Sequence, residues 1–292
     1  MSDYVIYTDS CIDLPSEMVK ELELKVTPLS VLIEGQEFFN DDGPKGIGNK
    51  EFYNELREKK QPSTSQVNAP RFIDDWEPTL TQGKDVLYIG FSSGLSGTYN
   101  SSIQAKNELL EKYPDRKIIT IDSLAASMGQ GLLLSYAARL KKAGKTIDEV
   151  ANWVLENRLD ICHIFTVGDL NHLKRGGRLS STKAILGTLL SVKPILHVSK
   201  EGKLVQIGQT RGRKKSLIKM VEIVEETIVN PSGQVIYISH GDCEEDALFV
   251  KAMIMEKLPI TDVVINYVGP VIGSHSGIGT LAIFYLGNER KH

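Results

Sequence analysis

The 292-residue sequence contains few of the features that mark disulfide-rich, zinc-binding or membrane proteins. Its three cysteines, Cys11, Cys162 and Cys243, are far apart and have no CxxC spacing, which disfavours both a disulfide framework and a zinc site. No apolar run approaches ~18 residues, and the first residues lack the order of a signal peptide. We therefore expect a cytoplasmic protein without a metal, a cofactor or stable membrane insertion.

Net charge is also small. The chain has 34 Lys and Arg against 37 Asp and Glu, a formal charge of -3, which gives no global attraction for nucleic acid. Two basic segments stand out, residues 174–178 (KRGGR) and 211–215 (RGRKK). Neither has interleaved aromatic residues, so nucleic acid is a weaker candidate partner than phosphate or an acidic protein surface. The second segment opens a predicted helix, where the helix dipole disfavours cations, so an anion is expected beside it.

Apolar strand patterns alternate with helix patterns along the chain. Strands are predicted at 4–7, 26–33, 85–90, 117–122, 162–167, 194–198, 204–209, 234–240, 262–268 and 281–286. Helices are predicted at 49–59, 127–143, 146–157, 213–228 and 244–257. Two further helices are predicted, one that begins near residue 69 and one that ends at about residue 113. Residues 61–66, 173–180 and 269–280 are predicted as loops, and a short helix is predicted after the second of them. This alternation predicts an α/β protein, with a parallel-sheet domain over residues 1–160 and a second α/β domain over residues 161–292.

Three of the polar segments contain candidate binding groups. Residues 91–102 (FSSGLSGTYNSS) join a predicted strand to a helix, so unpaired N–H groups at the helix start favour an anion there, although a Ser-capped helix needs no ligand. Ser93 and Ser96 offer hydroxyls, and Gly97 allows close approach of a ligand. The other segments are 61–66, which is rich in hydroxyls, and 269–280, in which His275 lies among glycines.

Two alternatives stay open at this point. A small-molecule hydrolase or phosphotransferase could use Ser96 and His275, but no serine lies in a Gly-x-Ser-x-Gly elbow between a strand and a helix. A DNA-binding regulator could use the two basic segments, and its affinity would fall steeply with added salt. The acidic residues 242–246 could attract a metal, but the helix dipole explains acidic residues in a first turn without one.

Seven motifs in a fixed order resemble the DegV family. They are residues 8–15 (TDSCIDLP), 64–66 (TSQ), 92–101 (SSGLSGTYNS), 173–180 (LKRGGRLS), 211–215 (RGRKK), 240–242 (HGD) and 275–280 (HSGIGT). The resemblance covers about residues 4–287. Departures are Cys11 and Ile12, where the family usually has small residues, and Val67, where proline commonly follows the second motif.

The resemblance implies a two-domain α/β fold with a lipid tunnel between or within the domains. It also implies that the protein binds one long-chain fatty acid, such as palmitate, stearate or oleate. The protein would present the carboxylate to a separate ATP-dependent fatty acid kinase, feeding phospholipid synthesis, and would not itself be the catalyst. By matching motif positions, the carboxylate would be bound by Thr64, Ser96, Ser93, Gly97 and His275, and the kinase recognised through Arg178, Lys174 and Arg175. Chain-length preference, saturation, the identity of the kinase, oligomeric state and the role of residues 211–215 stay open.

Overall fold

The computed structural model of the protein describes residues 3–40, 43–179 and 192–291. Its strands are β1 (Tyr4–Asp9), β2 (Lys25–Thr27), β3 (Ser30–Ile33), β4 (Gln36–Phe39), β5 (Ser63–Ser65), β6 (Asp85–Gly90), β7 (Ile118–Asp122), β8 (Ile161–Thr166), β9 (Val192–Val198), β10 (Leu204–Arg211), β11 (Val235–His240), β12 (Asp262–Tyr267) and β13 (Leu281–Leu286). Its helices are α1 (Ser16–Glu21), α2 (Asn49–Arg57), α3 (Ala69–Thr81), α4 (Thr98–Lys112), α5 (Met128–Lys142), α6 (Ile147–Asn157), α7 (Leu170–Arg175), α8 (Arg213–Thr227), α9 (Glu244–Lys257) and α10 (Pro270–Ser276), with 3₁₀ helices at Ser10–Ile12 and Glu289–Lys291. The predicted α/β class is confirmed.

The first sheet is parallel, with strand order β2-β1-β6-β7. All residues of β6 are buried, as expected for a strand that is covered on both faces. Helices α3, α4 and α6 pack against this sheet. Because parallel strands end at the same edge, the turns that follow β1, β6 and β7 gather there.

The second sheet is a small antiparallel one, with strand order β4-β3-β5. The prediction of one strand over residues 26–33 is wrong, because the chain passes from the first sheet to the second at Pro28, which has no N–H for a sheet ladder. The prediction that residues 61–66 form only a loop is also wrong. Strand β5 pairs with β3 and places Thr64 opposite Val31.

The third sheet has strand order β10-β9-β8-β13-β11-β12, and within the described ranges only β11 and β12 pair in parallel. Side chains of β13 alternate between its two faces, as the period of a strand requires. Leu281, Ile283 and Tyr285 belong to a core shared with α8 and α9. Ala282 and Phe284 belong to the larger core formed with the first half of the chain, the residues before 161.

Contacts cross the predicted boundary at residue 160. Helix α5, which precedes the boundary, packs on β8, β11 and β13, which follow it. Ser127 Oγ lies 2.9 Å from Ser239 Oγ, and the Tyr53 hydroxyl donates to the Val268 carbonyl at 2.8 Å. The division into domains 1–160 and 161–292 stays a prediction, since the sheets divide there but the larger core does not.

Candidate functional site

A cavity of 510 Å³ is lined by residues from both halves of the chain. Its volume lies within the range of about 300–1,000 Å³ that is usual for small-molecule sites. Much of the wall is apolar and includes Leu29, Phe91, Leu95, Phe165, Val198, Leu204, Val271 and Phe284. The polar part of the wall contains four of the predicted carboxylate-binding residues, Thr64, Ser96, Gly97 and His275, together with Arg178.

The turn between β6 and α4 carries Ser96 to the cavity wall. The N–H groups of Leu95 and Ser96 donate to the Ser92 carbonyl at 3.0 and 3.1 Å and fold the turn back on itself. Ser96 Oγ lies 3.0 Å from Thr98 Oγ1 and accepts the Thr98 N–H at 3.2 Å. The Ser96 hydroxyl therefore accepts from the N–H of the first residue of α4 and lies at the cavity.

Gly97 and Gln66 are matched in shape. A Cβ at position 97 would lie 2.1 Å from Gln66 Oε1, so glycine gives this amide room. The Gln66 Nε2 donates to Ser101 Oγ at 3.2 Å. Gln66 lines the cavity and belongs to the second DegV-like motif, but the residue patterns alone did not mark it as a binding group.

His275 lies on a helix. The prediction of a loop over residues 269–280 is wrong, because α10 begins at Pro270, which is acceptable in a first helical turn, and ends before Gly277 at φ 78°. His275 Nε2 lies 2.8 Å from Thr64 Oγ1 on β5. A helix of the second half and a strand of the first half thus join two predicted binding groups.

The His275 imidazole is neutral at neutral pH. Burial, and then the nearby charge of Arg178, lower its pKa to about 4. One ring nitrogen of a neutral imidazole donates and the other accepts. His275 can therefore donate one hydrogen bond to a bound anion without carrying a charge of its own.

The basic segment 174–178 is a helix ending rather than the predicted loop. Leu173 to Arg175 continue α7, which closes with the Gly177 N–H on the Lys174 carbonyl at 3.1 Å and the Arg178 N–H on the Leu173 carbonyl at 3.3 Å. This pair of bonds is a Schellman ending, and Gly177 has the positive φ, 65°, that it requires. The short helix predicted next falls on residues 180–191, outside the described residues.

This ending separates the three predicted partner-recognition cations. Arg178 turns inward, lines the cavity and donates through Nε to the Leu95 carbonyl at 3.3 Å. Lys174 and Arg175 are exposed on α7. Ser93, predicted to bind the carboxylate, is also exposed and outside the cavity lining, with its N–H on Asp122 Oδ1 at 3.2 Å.

Residue patterns missed a further polar part of the wall, which includes Ser127 and Ser239; Ser276, in the glycine-rich segment 269–280, also lines it. The Ser127 Oγ also lies 2.5 Å from Asp13 Oδ2. Burial raises the pKa of Asp13 to about 7, although the hydrogen bond from Ser127 acts in the opposite direction. Ser239 stands near the carboxyl end of β11, a position that favours ligand contact and could have marked it.

Among the described hydrogen bonds, Ser96 and His275 are not paired as nucleophile and base. An activated serine is hydrogen-bonded to its base. Instead, the hydrogen bonds described for Ser96 Oγ go to Thr98, and the one described for the His275 ring goes to Thr64. An imidazole whose pKa is about 4 is also a weak base at neutral pH.

The second basic segment has its anion within the chain. Arg213 Nε donates to Asp246 Oδ2 at 2.8 Å, and Lys214 Nζ lies 5.6 Å from the centre of the Phe249 ring. Across the described ranges, no three His, Cys, Asp or Glu side chains are grouped to hold a metal ion. In that same part of the chain, none of the helices is both long and apolar enough to span a membrane.

Comparison with known proteins gives consistent matches over nearly the whole chain. The family model described as "Uncharacterised protein, DegV family" matches residues 3–288. A DegV domain-containing protein of Clostridium perfringens is 52% identical over 291 residues, covering 100% of both chains. Two solved structures, a DegV family protein of Thermus thermophilus described for its fatty acid binding and DegV of Bacillus subtilis, described as a fatty acid binding protein, have TM-scores of 0.87 and 0.86. Each is 30% identical and covers 98% of this chain and 100% of its own.

Proposed function

Because this chain belongs to the DegV family, we propose that it binds one long-chain fatty acid in the cavity. The observation that carries the proposal is an apolar cavity of 510 Å³ whose wall includes a cluster of hydroxyl, imidazole and guanidinium groups. The acyl chain lies along the apolar wall. The carboxylate is bound by Thr64, Ser96 and His275, with Arg178 beside them.

The acyl chain supplies most of the affinity. Burying about fifteen methylenes at ~0.8 kcal/mol each gives on the order of 12 kcal/mol before the costs of association are subtracted. A hydrogen bond to a charged group contributes roughly 1.5–3 kcal/mol. The head-group residues therefore orient the carboxylate more than they hold the ligand.

Lipid analysis tests this proposal directly. Mass spectrometry of lipid extracted from the purified protein is expected to find palmitate, stearate or oleate. After the lipid is removed, Thr64→Val and Ser96→Ala should each raise the Kd for fatty acid by roughly tenfold or more, the equivalent of one charge-assisted hydrogen bond. Ser232→Ala, on the exposed surface, is the matched control and should leave the Kd unchanged.

The proposal includes a partner, a separate ATP-dependent kinase that phosphorylates the bound carboxylate in the cytoplasm to feed phospholipid synthesis. The exposed cations Lys174 and Arg175 on α7 supply a charged surface for its approach. Acyl phosphate formation should require the kinase. It should fall more than lipid retention does in Thr64→Val and Ser96→Ala, because orientation matters more to the reaction than to binding.

Two outcomes would contradict parts of the proposal. Purified protein that carries no lipid and gains no apolar ligand on incubation would remove the fatty acid. Hydrolysis of esters or phosphates by the isolated protein, lost in Ser96→Ala or His275→Gln, would favour the enzyme alternative over the carrier.

A further inference from the structure

Arg290, near the end of the chain, is a buried cation. Its side chain is 1% exposed. The guanidinium donates to the carbonyls of Leu124 at 2.6 Å, Ser199 at 2.9 Å, Ile161 at 3.0 Å and Arg158 at 3.2 Å. Burial lowers the pKa of Arg290 to about 10, so it stays charged at neutral pH. A buried charge is costly unless it is hydrogen-bonded, so these carbonyls and the guanidinium depend on one another.

Two of these carbonyls belong to loops beside the cavity. Leu124 lies between β7 and α5, just before the cavity-lining Ala126, and has a positive φ of 52°. Ser199 opens the turn between β9 and β10, whose flanking residues Val198 and Leu204 line the cavity. Arg290 therefore ties together two loops that are distant in sequence.

Both loops hold Ser92, the residue on which the head-group turn folds. The Ala125 carbonyl accepts the Ser92 N–H at 3.1 Å, and the Gly202 carbonyl accepts the Ser92 hydroxyl at 2.8 Å. Gly202 has a φ of 73°, and a Cβ there would lie 2.1 Å from Ser92 Oγ. The Ser92 carbonyl in turn accepts the Ser96 N–H. Hydrogen bonds and short backbone segments thus connect Arg290 to Ser96.

We propose that Arg290 is a positioning residue for head-group recognition, fixing the two loops that hold Ser92 and thereby placing Ser96 at the cavity. This inference rests on the proposed function. An apolar side chain at position 290 removes this donor from all four carbonyls. The Ser199 carbonyl keeps the Gly202 N–H at 2.9 Å and the Ile161 carbonyl keeps the His163 ring nitrogen at 2.9 Å, so the loops rearrange chiefly to satisfy the other two. The preference of the cavity for one head group over another then falls, because that preference depends on where the hydrogen-bond donors of the wall lie. A change in apolar contacts, by contrast, affects the affinity of all ligands of one chain length alike.

The ratio of two affinities isolates this effect. We would measure the Kd of hexadecanoate and of 1-hexadecanol for the lipid-free wild type and for Arg290→Met. The wild type should prefer the acid, and Arg290→Met should reduce that preference at least fivefold. Val221→Ala is the control for stability, since Val221 lies on α8 and is buried in the core that this helix shares with α9 and β13. It should lower the melting temperature and leave the ratio unchanged.

Ser92→Ala tests the other end of the connection and decides the question if Arg290→Met does not fold. It removes the hydroxyl that bonds Gly202 and should reduce the same ratio at least threefold. An unchanged ratio in Ser92→Ala, or in folded Arg290→Met, overturns the inference alone. A wild type that binds no hexadecanoate overturns the proposed function and this inference with it.

Discussion

The environment of His275 makes a specific prediction about stability and pH. Its pKa is lowered from the ordinary 6.5 to about 4, first by burial and then by Arg178. Between these values the unfolded chain binds a proton that the folded protein does not. The free energy of unfolding therefore falls as the pH is lowered through this window, and the loss is complete below about pH 4.

The size of the effect follows from the shift. One pKa unit corresponds to about 1.4 kcal/mol, and at pH 5 most of the unfolded chains carry the extra proton. Lowering the pH from about 7.5 to about 5 should therefore cost the wild type on the order of 2 kcal/mol through His275 alone. His275→Gln does not titrate and should not pay this cost, while its amide can still bond the Thr64 hydroxyl.

Urea denaturation of lipid-free protein at both pH values measures this difference. The difference in unfolding free energy between wild type and His275→Gln should change by about 2 kcal/mol between them. Thr64→Val is the matched control, because it removes the partner of the imidazole and keeps the titrating group. Its offset should vary less with pH. A wild-type minus His275→Gln difference that is equal at both pH values would refute the reasoning.

Three further predictions concern neighbouring groups. Burial raises the pKa of Asp13 to about 7, so the folded protein keeps a proton that the unfolded chain loses above about pH 4. The free energy of unfolding therefore falls as the pH rises from about 4 to 7. Asp13→Asn should remove this fall, measured by urea denaturation. Gly168→Ala should destabilise by about 1–3 kcal/mol in thermal melting, because its Cβ would lie 2.3 Å from the Ile278 carbonyl. Arg178→Gln should raise the pKa of His275, followed by NMR, and weaken fatty acid binding. An unchanged Kd would contradict the proposed place of Arg178 beside the carboxylate.

Elements with one dominant local signal could be predicted from the sequence. The bounds of β6, α9 and β13 agree with the predicted ones. The two strands are continuous apolar segments, and α9 opens with three acidic residues that the helix dipole favours in a first turn. The capping box at Thr146 and Glu149 is confirmed, with both of its hydrogen bonds present. In these segments local propensity and tertiary packing favour the same structure.

Elements whose structure depends on residues distant in the sequence could not be predicted. Strand β5 consists of Ser and Thr and exists because β3 provides a pairing edge. Helix α10 contains Gly273, although local propensity disfavours glycine in a helix. A glycine is needed there because a Cβ would lie 2.7 Å from the Phe52 ring. Close packing on α2 therefore outweighs the local cost of the glycine.

The candidate site shows the same division. Hydroxyl-rich and glycine-rich segments mark Thr64, Ser96 and His275 as binding groups one at a time, yet no spacing indicates that Thr64 and His275, more than two hundred positions apart, are hydrogen-bonded. Ser93 lies in the same turn as Ser96 but is exposed and outside the cavity lining, which the hydroxyl-rich composition of the turn does not indicate. Sequence patterns therefore indicate single candidate groups better than the contacts between them.

The segment 174–178 has two glycines for two different physical reasons. Gly177 supplies the positive φ that ends α7, and Gly176 leaves room for the imidazole, since a Cβ there would lie 2.4 Å from His275 Nδ1. Helix α7 can therefore pack directly on α10, with Arg178 turned into the cavity and Lys174 exposed. A partner that docks on the exposed cations of α7 would contact a helix that packs on α10, which carries His275. One short segment thus supplies both the exposed charges of Lys174 and Arg175 and the charge of Arg178 in the cavity wall.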